Sequence, residues 1–403
     1  MARVGGPPRP LLVSRIFAPE PAAASFRLSA LVGALVRSGA SPTVLTVCPP
    51  RGQEAGDDAG ADVRRFPVLR DAEGYVRGYA CYLSFDVPAF FRVLSLRRRP
   101  DVVVVEPPPT TGVVVRVACA LRRVPYVYYA ADVWSDATES TDAPRVVRRV
   151  VRAMESFAFR GASRVLAVSD GVAERVSALG GRDVAVVRNG IDTTVFRPVG
   201  PETVEPGAAE QGTASRPTLV YAGTASEWQG ASIFVAAFRK VLATVPDARL
   251  VFLGQGSEWR EIERVAAQLP PGSVELRGSV PPAEAAAALA SARAGLVSLR
   301  PGLGYDFAFP TKVFASVACG TPVVFAGPGP AHRAVQDERL GWATDYDEDQ
   351  VAAAMVAALR DAPSGERRTE LADWVRRNAS AEATGRRAAE LVLDAATPTS
   401  RRR

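Results

Sequence analysis

Short runs of β-branched residues alternate with helical patterns along most of this 403-residue chain. Val102–Val105 is apolar at every position, as expected of a strand that is covered on both faces. Tyr126–Ala130 and Thr218–Ala222 are further predicted strands of this kind. Strands that alternate with helices build β-α-β units and a parallel sheet. The sequence therefore predicts an α/β fold.

The periodicity stops between Pro198 and Pro217, where Pro, Gly, Glu and Thr dominate. This composition indicates an interdomain linker, and a length of about 150 residues per domain agrees with two or three domains. We expect a first domain over 1–198, a linker over 199–217, a second domain over 218–375 and a C-terminal helix with a basic tail over 376–403. Ligands of doubly wound sheets bind beyond the carboxyl ends of the strands, which is where the motifs below are placed.

The composition excludes several kinds of site. A single histidine, His332, cannot build a multi-histidine metal site and is the only histidine available to a Ser-His-Asp arrangement. Four scattered cysteines indicate reduced, cytoplasmic thiols. No apolar run reaches the roughly 18 residues of a membrane span, and the proline-rich start is unlike a signal peptide. The net charge of +6 favours anionic ligands, and we predict neither a metal nor a resident cofactor.

The strongest local motif runs from Asp306 through Pro310-Thr311-Lys312 to Gly320. Pro310 suits a helix start, and Thr311 can present its hydroxyl in the first turn. The N–H groups and the dipole of that helix end favour an anion, with Lys312 as a counter-charge. A capped helix with one solvated lysine is the alternative. Lysine is rare here, since Lys240 is the only other one, and this favours the anion site.

Two glycine turns follow predicted strands in the second half of the chain. Gly223 allows a ligand to approach the backbone, while Thr224 and Ser226 can donate hydrogen bonds to phosphate. Gly254-Gln-Gly256 repeats the arrangement after the next strand. Neither turn has the dinucleotide or P-loop spacing. In the first half, Asn189-Gly190 is either a plain turn or the hinge side of a ligand cleft.

Together these residues resemble the family-four, retaining GT-B glycosyltransferases. The resemblance covers roughly Leu11 to Leu359 and is clearest from Ser163 to Pro322. It is carried by these segments: Pro19-Glu20 before Arg27, Glu106-Pro-Pro-Pro109, Ala131–Asp136, Asn189-Gly-Ile-Asp with Phe196-Arg-Pro198, Tyr221-Ala-Gly223, Gly254-Gln-Gly256 and Pro310-Thr311-Lys312 leading to Gly320-Thr-Pro322. Ala131–Asp136 is similar to the D-L-W-P-E-S segment of bacterial polysaccharide members.

The resemblance implies a fold of two Rossmann-like, doubly wound domains facing a cleft, with the C-terminal helix crossing back to the first domain. It implies metal-independent transfer of a sugar from a nucleotide-diphosphate sugar, as co-substrate, to a hydroxyl acceptor: a glycan, a lipid-linked precursor or a small molecule. In such enzymes the leaving phosphate is thought to receive the acceptor's proton, so that the protein positions substrates and stabilises charge.

The resemblance also assigns residues. The catalytic group would comprise Asp132, Lys312 and Asp306. The donor would be held by Gly223, Thr224, Ser226, Gln229, Gly254, Gly256, Gly278, Val280, Pro310, Thr311 and Lys312. The acceptor side would comprise Glu20, Arg27, Glu106, Trp134 and Asn189. No metal ligand is expected.

The sequence departs from the family pattern at the places of two glutamates, which are Phe307 and Ala315 here. Asp306 is a neighbouring substitute for the first. The departures keep a second hypothesis open, a nucleotide-sugar-binding accessory subunit of a partner glycosyltransferase. A sugar-nucleotide epimerase of similar architecture is less favoured, because epimerases move protons with several acidic and histidine side chains.

Two arginine clusters also have two interpretations. Arg97–Arg99 follows a predicted helix, and Arg145, Arg148, Arg149 and Arg152 line another. Such surfaces either are simply solvated or contact an anionic membrane peripherally. Nucleic acid is not expected as a partner, because aromatic residues do not alternate with the basic ones.

Overall fold

The computed structural model of the protein describes residues 6–20, 23–49, 60–71, 76, 78–135, 144–198 and 216–397. It divides into two compact units, one of residues 1–190 with 381–403 and one of residues 191–380. Each unit contains one parallel sheet. Within the described parts of the chain, no helix is long and apolar enough to cross a membrane.

The sheet of the first unit has seven parallel strands in the order β3-β2-β1-β4-β5-β6-β7. Its strands are β1 (Pro10–Val13), β2 (Thr43–Val47), β3 (Asp62–Phe66), β4 (Val102–Val105), β5 (Tyr126–Ala130), β6 (Arg164–Ala167) and β7 (Val184–Val186). Its helices are α1 (Ala23–Arg37), α2 (Tyr79–Ser95), α3 (Pro109–Arg122), α4 (Arg145–Gly161), α5 (Asp170–Ala178) and the C-terminal α13 (Ala381–Ala395).

Helices cover both faces of this sheet, and neighbouring residues of β5 show how. Successive side chains of a strand point to opposite faces. Tyr128 meets Phe159 of α4, with ring centroids 4.9 Å apart. Tyr129 faces the other way, where the guanidinium of Arg27 on α1 lies 5.0 Å from its ring. α1 and α13 therefore pack on one face, and α2, α3 and α4 on the other.

The second unit has six parallel strands in the order β10-β9-β8-β11-β12-β13. Its strands are β8 (Thr218–Ala222), β9 (Arg249–Leu253), β10 (Val274–Arg277), β11 (Ala294–Ser298), β12 (Val323–Ala326) and β13 (Gly341–Thr344). Its helices are α6 (Ser232–Thr244), α7 (Trp259–Ala266), α8 (Pro282–Ser291), α9 (Thr311–Ala318), α10 (Pro330–Asp337), α11 (Glu348–Arg360) and α12 (Gly365–Asn378). In both units the strand order reverses at the first strand, which is the doubly wound arrangement.

The chain leaves the first unit earlier than the composition suggested. The expected first domain extends to residue 198, but the structure assigns residues from Ile191 onward to the second unit. Ile191 donates its N–H to Ala379 O at 2.9 Å, and Phe196 packs against the core of the second unit. The second unit begins earlier because Phe196, which precedes the Pro- and Gly-rich stretch, packs against the core of that unit. Of the expected linker, residues 199–215 lie outside the described ranges.

The C-terminal region is divided between the units. α12 belongs to the second unit, while α13 belongs to the first and packs along α1. The small residues at this contact allow close approach, since a Cβ on Gly385 would lie 2.5 Å from Ala30 O. The fold class is therefore as the resemblance implied, including the return of the C-terminal helix to the first unit. Residues 398–403 of the basic tail lie outside the described ranges.

Candidate functional site

The turns after β8 and β9 lie side by side at the carboxyl edge of the second sheet. Gly223 N donates to Leu253 O at 2.7 Å, and Ala225 N donates to Gln255 O at 2.8 Å. A Cβ on Gly254 would lie 2.0 Å from Gly223 O, and one on Gly256 would lie 2.2 Å from Ala225 O. Both glycines have positive φ. The G-x-G pattern is thus required by the packing of two backbones.

Lys312 lies directly across this turn. Its Nζ donates to Thr224 O at 2.9 Å and lies 5.2 Å from the centroid of the Tyr221 ring. A Cβ on Gly223 would approach Lys312 Cε to 2.7 Å, so glycine leaves room for the lysine. The side chain is half-buried, and loss of water lowers the pKa of Lys312 to about 7. No carboxylate of the described residues forms an ion pair with it.

The N-terminus of α9 completes this corner of the unit. Pro310 is the buried N-cap residue with φ −65°, and Thr311 is exposed in the first turn. The first N–H groups of a helix have no partner within the helix, and the dipole adds partial positive charge there. The turn at Gly223, the helix end and the Lys312 ammonium therefore form a small positive region suited to a phosphate group.

Other predicted donor residues serve the turn itself. Gln229 is buried, and its Oε1 accepts hydrogen bonds from Ser226 N at 3.1 Å and Ser226 Oγ at 3.0 Å. This pair stabilises the loop that follows Gly223. Gly278 and Val280 follow β10 in a segment without regular secondary structure, and Gly278 has open space around it.

Asp306 belongs to the loop before α9. Its Oδ1 accepts the N–H of Gly302 at 3.1 Å, so the carboxylate closes a turn of its own loop. A Cβ on Gly329 would lie 1.9 Å from Asp306 O, which shows how closely this loop meets the one after β12. Trp228 and Tyr305 stack with centroids 4.7 Å apart and brace the same loop. Phe307 and Ala315, at the family's glutamate places, are partly buried.

Arg300 is a candidate that the sequence reasoning missed. It lies two residues after β11, and its backbone N–H donates to Trp228 O at 2.9 Å. Its guanidinium lies 3.5 Å from Glu258 and 5.9 Å from the centroid of the Tyr346 ring. The signal that would have found it is an arginine just beyond the carboxyl end of a buried parallel strand.

The carboxyl edge of the first sheet carries a buried ion pair. Arg27 of α1 contacts Glu106, which follows β4, and also donates to Asn189 Oδ1 at 2.8 Å. Arg27 and Glu106 are 7 % and 3 % exposed, and Ser14 Oγ lies 3.4 Å from the same carboxylate. Burial raises the pKa of Glu106, and the charge of Arg27 opposes the shift. The structure thus brings together three of the predicted acceptor-side residues.

Asp132 follows β5 near this pair. Loss of water raises the pKa of Asp132, and the charge of Arg27 opposes that shift. Two residues that follow Asp132 closely are fixed by α4. Glu155 of this helix accepts hydrogen bonds from Trp134 N at 2.6 Å and from Ser135 N at 3.0 Å. Asp136, at the end of the recognised segment, lies outside the described ranges.

Arg15 and Tyr82 are further groups that the sequence reasoning did not single out. Arg15 is buried, donates to Val76 O at 2.7 Å and lies 4.5 Å from the Tyr82 ring. Tyr82 meets Trp134 edge-on, with centroids 5.8 Å apart. Charged and aromatic groups of this kind offer cation–π and ring contacts to a ligand. Motif spacing contains no sign of them, because Tyr82 comes from a distant helix.

The remaining predicted residue, Glu20, pairs with Arg70 at 2.8 Å, and Arg70 also donates to Cys48 O. This contact fixes the loop after β1. In the described ranges, no group of three or more His, Cys, Asp or Glu side chains is placed to hold a metal ion.

Comparison with known proteins identifies both halves of the chain. Residues 23–190 match a family model described as a glycosyl transferase 4-like domain, and residues 216–361 match glycosyl transferases group 1. The structure is also similar to that of Anabaena HepE in complex with UDP and glucose, at 18% identity and a TM-score of 0.66. That likeness covers 96% of this chain and 99% of the other.

Two curated proteins of Mycolicibacterium smegmatis are similar in sequence. Alpha-maltose-1-phosphate synthase is 30% identical over 212 residues, which is 50% of this chain and 53% of the relative. Phosphatidyl-myo-inositol mannosyltransferase is 30% identical over 183 residues, which is 45% of this chain and 44% of the relative. The chain spans about half the length of the curated relatives it matches. The two matched domains, in the order found along the chain and on two parallel-sheet units, show that the protein belongs to the family-four glycosyltransferases of GT-B fold.

Proposed function

We propose that the protein transfers a sugar from a nucleotide-diphosphate sugar to a hydroxyl acceptor with retention of configuration and without a metal. The observation that carries this proposal is the half-buried Lys312, beside the Gly223 turn and the α9 N-terminus. An ammonium that loses its hydration without gaining a carboxylate partner is destabilised. A bound anionic ligand offsets this destabilisation. The diphosphate of a nucleotide-sugar has the required charge.

The chemistry follows from the charge that develops during transfer. As the bond between sugar and phosphate breaks, negative charge grows on the leaving diphosphate. The Lys312 ammonium and the N–H groups at Thr311 stabilise that charge where it forms. The acceptor hydroxyl bonds to the anomeric carbon on the same face, and its proton passes to the leaving phosphate oxygen. In this scheme the small positive region at Lys312 stabilises the charge of the diphosphate, which is the function that a divalent cation would otherwise have.

On the first unit, Asp132 is proposed to accept a hydrogen bond from a sugar or acceptor hydroxyl. Its position beside Arg27 supports a charged carboxylate, despite the upward pKa shift from loss of water. We propose that the protein works in the cytoplasm, because Cys48, Cys81, Cys119 and Cys319 are all free thiols. The acceptor class stays open among glycans, lipid-linked precursors and small molecules.

An accessory subunit that binds a nucleotide-sugar without transferring it is the second candidate. The loop contacts of Asp306 and the apolar Phe307 and Ala315 favour it, because they leave fewer carboxylates for the sugar. Binding and turnover therefore have to be measured separately.

The test is a thermal-shift screen with UDP-, GDP-, ADP- and dTDP-sugars in the presence of a chelator, followed by an assay of hydrolysis. We expect one sugar nucleotide to raise the melting temperature and to be hydrolysed slowly. Lys312→Ala should abolish both effects. Lys240→Ala is the matched control, because Lys240 is surface-exposed and paired with Glu348 and Asp349. If no donor shifts the melting temperature, the donor site is refuted; binding without hydrolysis or transfer supports the accessory subunit.

A further inference from the structure

Three neighbouring helices of the first unit, α2, α3 and α4, carry an unusual number of exposed apolar side chains on their outer surface. Leu83, Val87 and Phe91 follow one another at i, i+4 and i+8 on α2, each at least half exposed. On α4, Val146 and Val150 repeat this spacing at 69 % and 51 %. The large exposed apolar side chains of these three helices are Leu83, Val87, Phe91, Val117, Leu121, Val146, Val150 and Phe157. These residues and the surface arginines of the same helices are together called the basic face.

Every charged side chain that reaches the surface from these three helices is an arginine. They are Arg92, Arg116, Arg122, Arg145, Arg148, Arg149, Arg152 and Arg160. The only acids on the same helices, Asp86 and Glu155, are 0 % and 1 % exposed. Asp86 accepts a hydrogen bond from Thr111, and Glu155 holds Trp134 and Ser135. The surface therefore has no negative charge of its own on these helices.

The arginines of α4 are not explained by helix stability. Arg145, Arg148 and Arg149 lie in its first turns, and the first turn holds no acidic residue. The helix dipole makes cations unfavourable at an N-terminus. In the described parts of the chain, none of these three forms an ion pair. Together with Arg152 and Ser135 they line a shallow cavity of about 190 Å³.

The opposite face of the same unit differs. On α13, Arg387 is paired with Glu390 at 3.4 Å, and the apolar side chains Ala388, Ala389 and Val392 are buried against α1. Among the described side chains of α1 and α13, Phe26 is the large hydrophobic one that is exposed. Helical rows of exposed apolar side chains are therefore concentrated on one side of the sheet. That side lacks a protein element over it in the described chain.

We propose that the basic face docks onto a membrane leaflet that contains anionic phospholipids. The apolar side chains would enter the boundary between headgroups and acyl chains, while the arginines contact lipid phosphates. The basic face matches an anionic leaflet in both charge and polarity, because its eight large exposed apolar side chains lie among arginines. This inference does not depend on the transferase activity. It adds that α4, whose inner side holds the residues after Asp132, lies at the lipid surface.

The experiment is co-sedimentation of the full chain with phosphatidylcholine vesicles, with and without about one third phosphatidylglycerol. We expect binding only to the anionic vesicles, weakening as salt is raised. Arg145→Gln/Arg149→Gln should weaken it about 25-fold, from roughly fivefold per arginine near an anionic surface. Arg386→Gln/Arg387→Gln is the matched control on the opposite face and should bind as the wild type does. Phe91→Ser/Val150→Ser should bind more weakly at every salt concentration.

Thermal melting separates docking from folding. Removing arginines from the N-terminus of α4 should leave the melting temperature unchanged or slightly higher, because the dipole opposes them. Equal binding to neutral vesicles, equal loss in the control variant, or unchanged binding of the Phe91→Ser/Val150→Ser variant would overturn the proposal. Capture of an acidic soluble protein by the same face, with no vesicle binding, would overturn it as well.

Discussion

Glu155 of α4 accepts a 2.6 Å hydrogen bond from the backbone N–H of Trp134, two residues after Asp132. A second bond, from Ser135 N at 3.0 Å, uses the other carboxylate oxygen. Glu155 is only 1 % exposed, so these contacts are formed away from water. A buried carboxylate with charge-assisted partners holds a backbone segment firmly. The position of Asp132 thus depends on a helix that is distant from it in sequence.

We therefore predict that Glu155→Ala lowers kcat for transfer about 10-fold or more, while the KM for the donor changes little. Small misplacements of a substrate-contacting group have costs of this size. Glu155→Gln keeps one acceptor oxygen but turns its amide N–H groups toward the second backbone N–H, so it should retain only part of the activity. Steady-state kinetics of both variants, with exposed Glu174→Ala as control, check this. A rise in donor KM as large as the fall in kcat, or unchanged kcat in Glu155→Ala, would contradict a positioning role.

The second prediction concerns pH and Lys312. Its pKa is lowered to about 7 by burial, and a bound diphosphate should raise it again. Donor affinity should then be highest below pH 7 and fall as pH rises from 7 toward the higher pKa of the complex. Calorimetry at pH 8 in buffers of different ionisation enthalpy should show proton uptake approaching one per donor. Lys312→Arg stays charged and should show no such uptake; proton uptake of zero in the wild type would refute the coupling.

The third prediction uses two glycines that were both expected to bind the donor. At Gly223, φ is +125° and a new Cβ would lie 2.7 Å from Lys312 Cε. Gly223→Ala should lose about 1–3 kcal/mol of unfolding free energy through strain and should also weaken donor binding by displacing the lysine. Gly278 has open space around it, so Gly278→Ala should stay within about 0.5 kcal/mol of wild type. Urea unfolding and donor titration measure both; equal effects at the two positions would show that Lys312 is not involved.

The fourth prediction concerns the buried pair of Arg27 and Glu106. Removing one partner leaves the charge of the other buried and without its counter-charge. Glu106→Met should therefore cost about 3–5 kcal/mol of unfolding free energy, and Arg27→Met a similar amount. Arg27→Met/Glu106→Met should cost less than either single change, because neither member of the pair is left without its partner. A double-mutant cycle by urea unfolding checks this, and simple addition of the two single costs would argue against direct coupling.

The strength of the periodic signal decided which elements were predictable. Tyr126–Ala130 has the predicted bounds, because a continuous apolar run marks it locally. The predicted helix start at Pro310 is confirmed, and α9 ends at Ala318, two residues before Gly320. β3 gave no such signal, since Arg64 and Arg65 lie on an edge strand that is only partly covered. The predicted helical tail is divided at Ala379–Ser380, where Ser380 forms a bridge with Ile191 from another part of the chain.

The candidate site was predictable as a set of motifs and less so as a set of roles. Lys312 and Gly223 were selected from rarity and turn chemistry, and the structure places them in contact. Gln229 and Asp306 instead contact their own loops, which spacing alone does not reveal. Arg15, Arg300 and Glu155 were missed because each acts through partners that are remote in sequence.

The amino-acid sequence by itself determined the α/β class, the two-domain order and the family, because these depend on local periodicity and short motifs. Only the tertiary structure decided the electrostatic state of the site and the character of its surfaces. Lys312 and Thr224 are separated by 88 positions and meet at 2.9 Å, and burial at that meeting lowers the lysine's pKa. Burial and the alignment of α2, α3 and α4 arise from long-range packing, which no local pattern specifies.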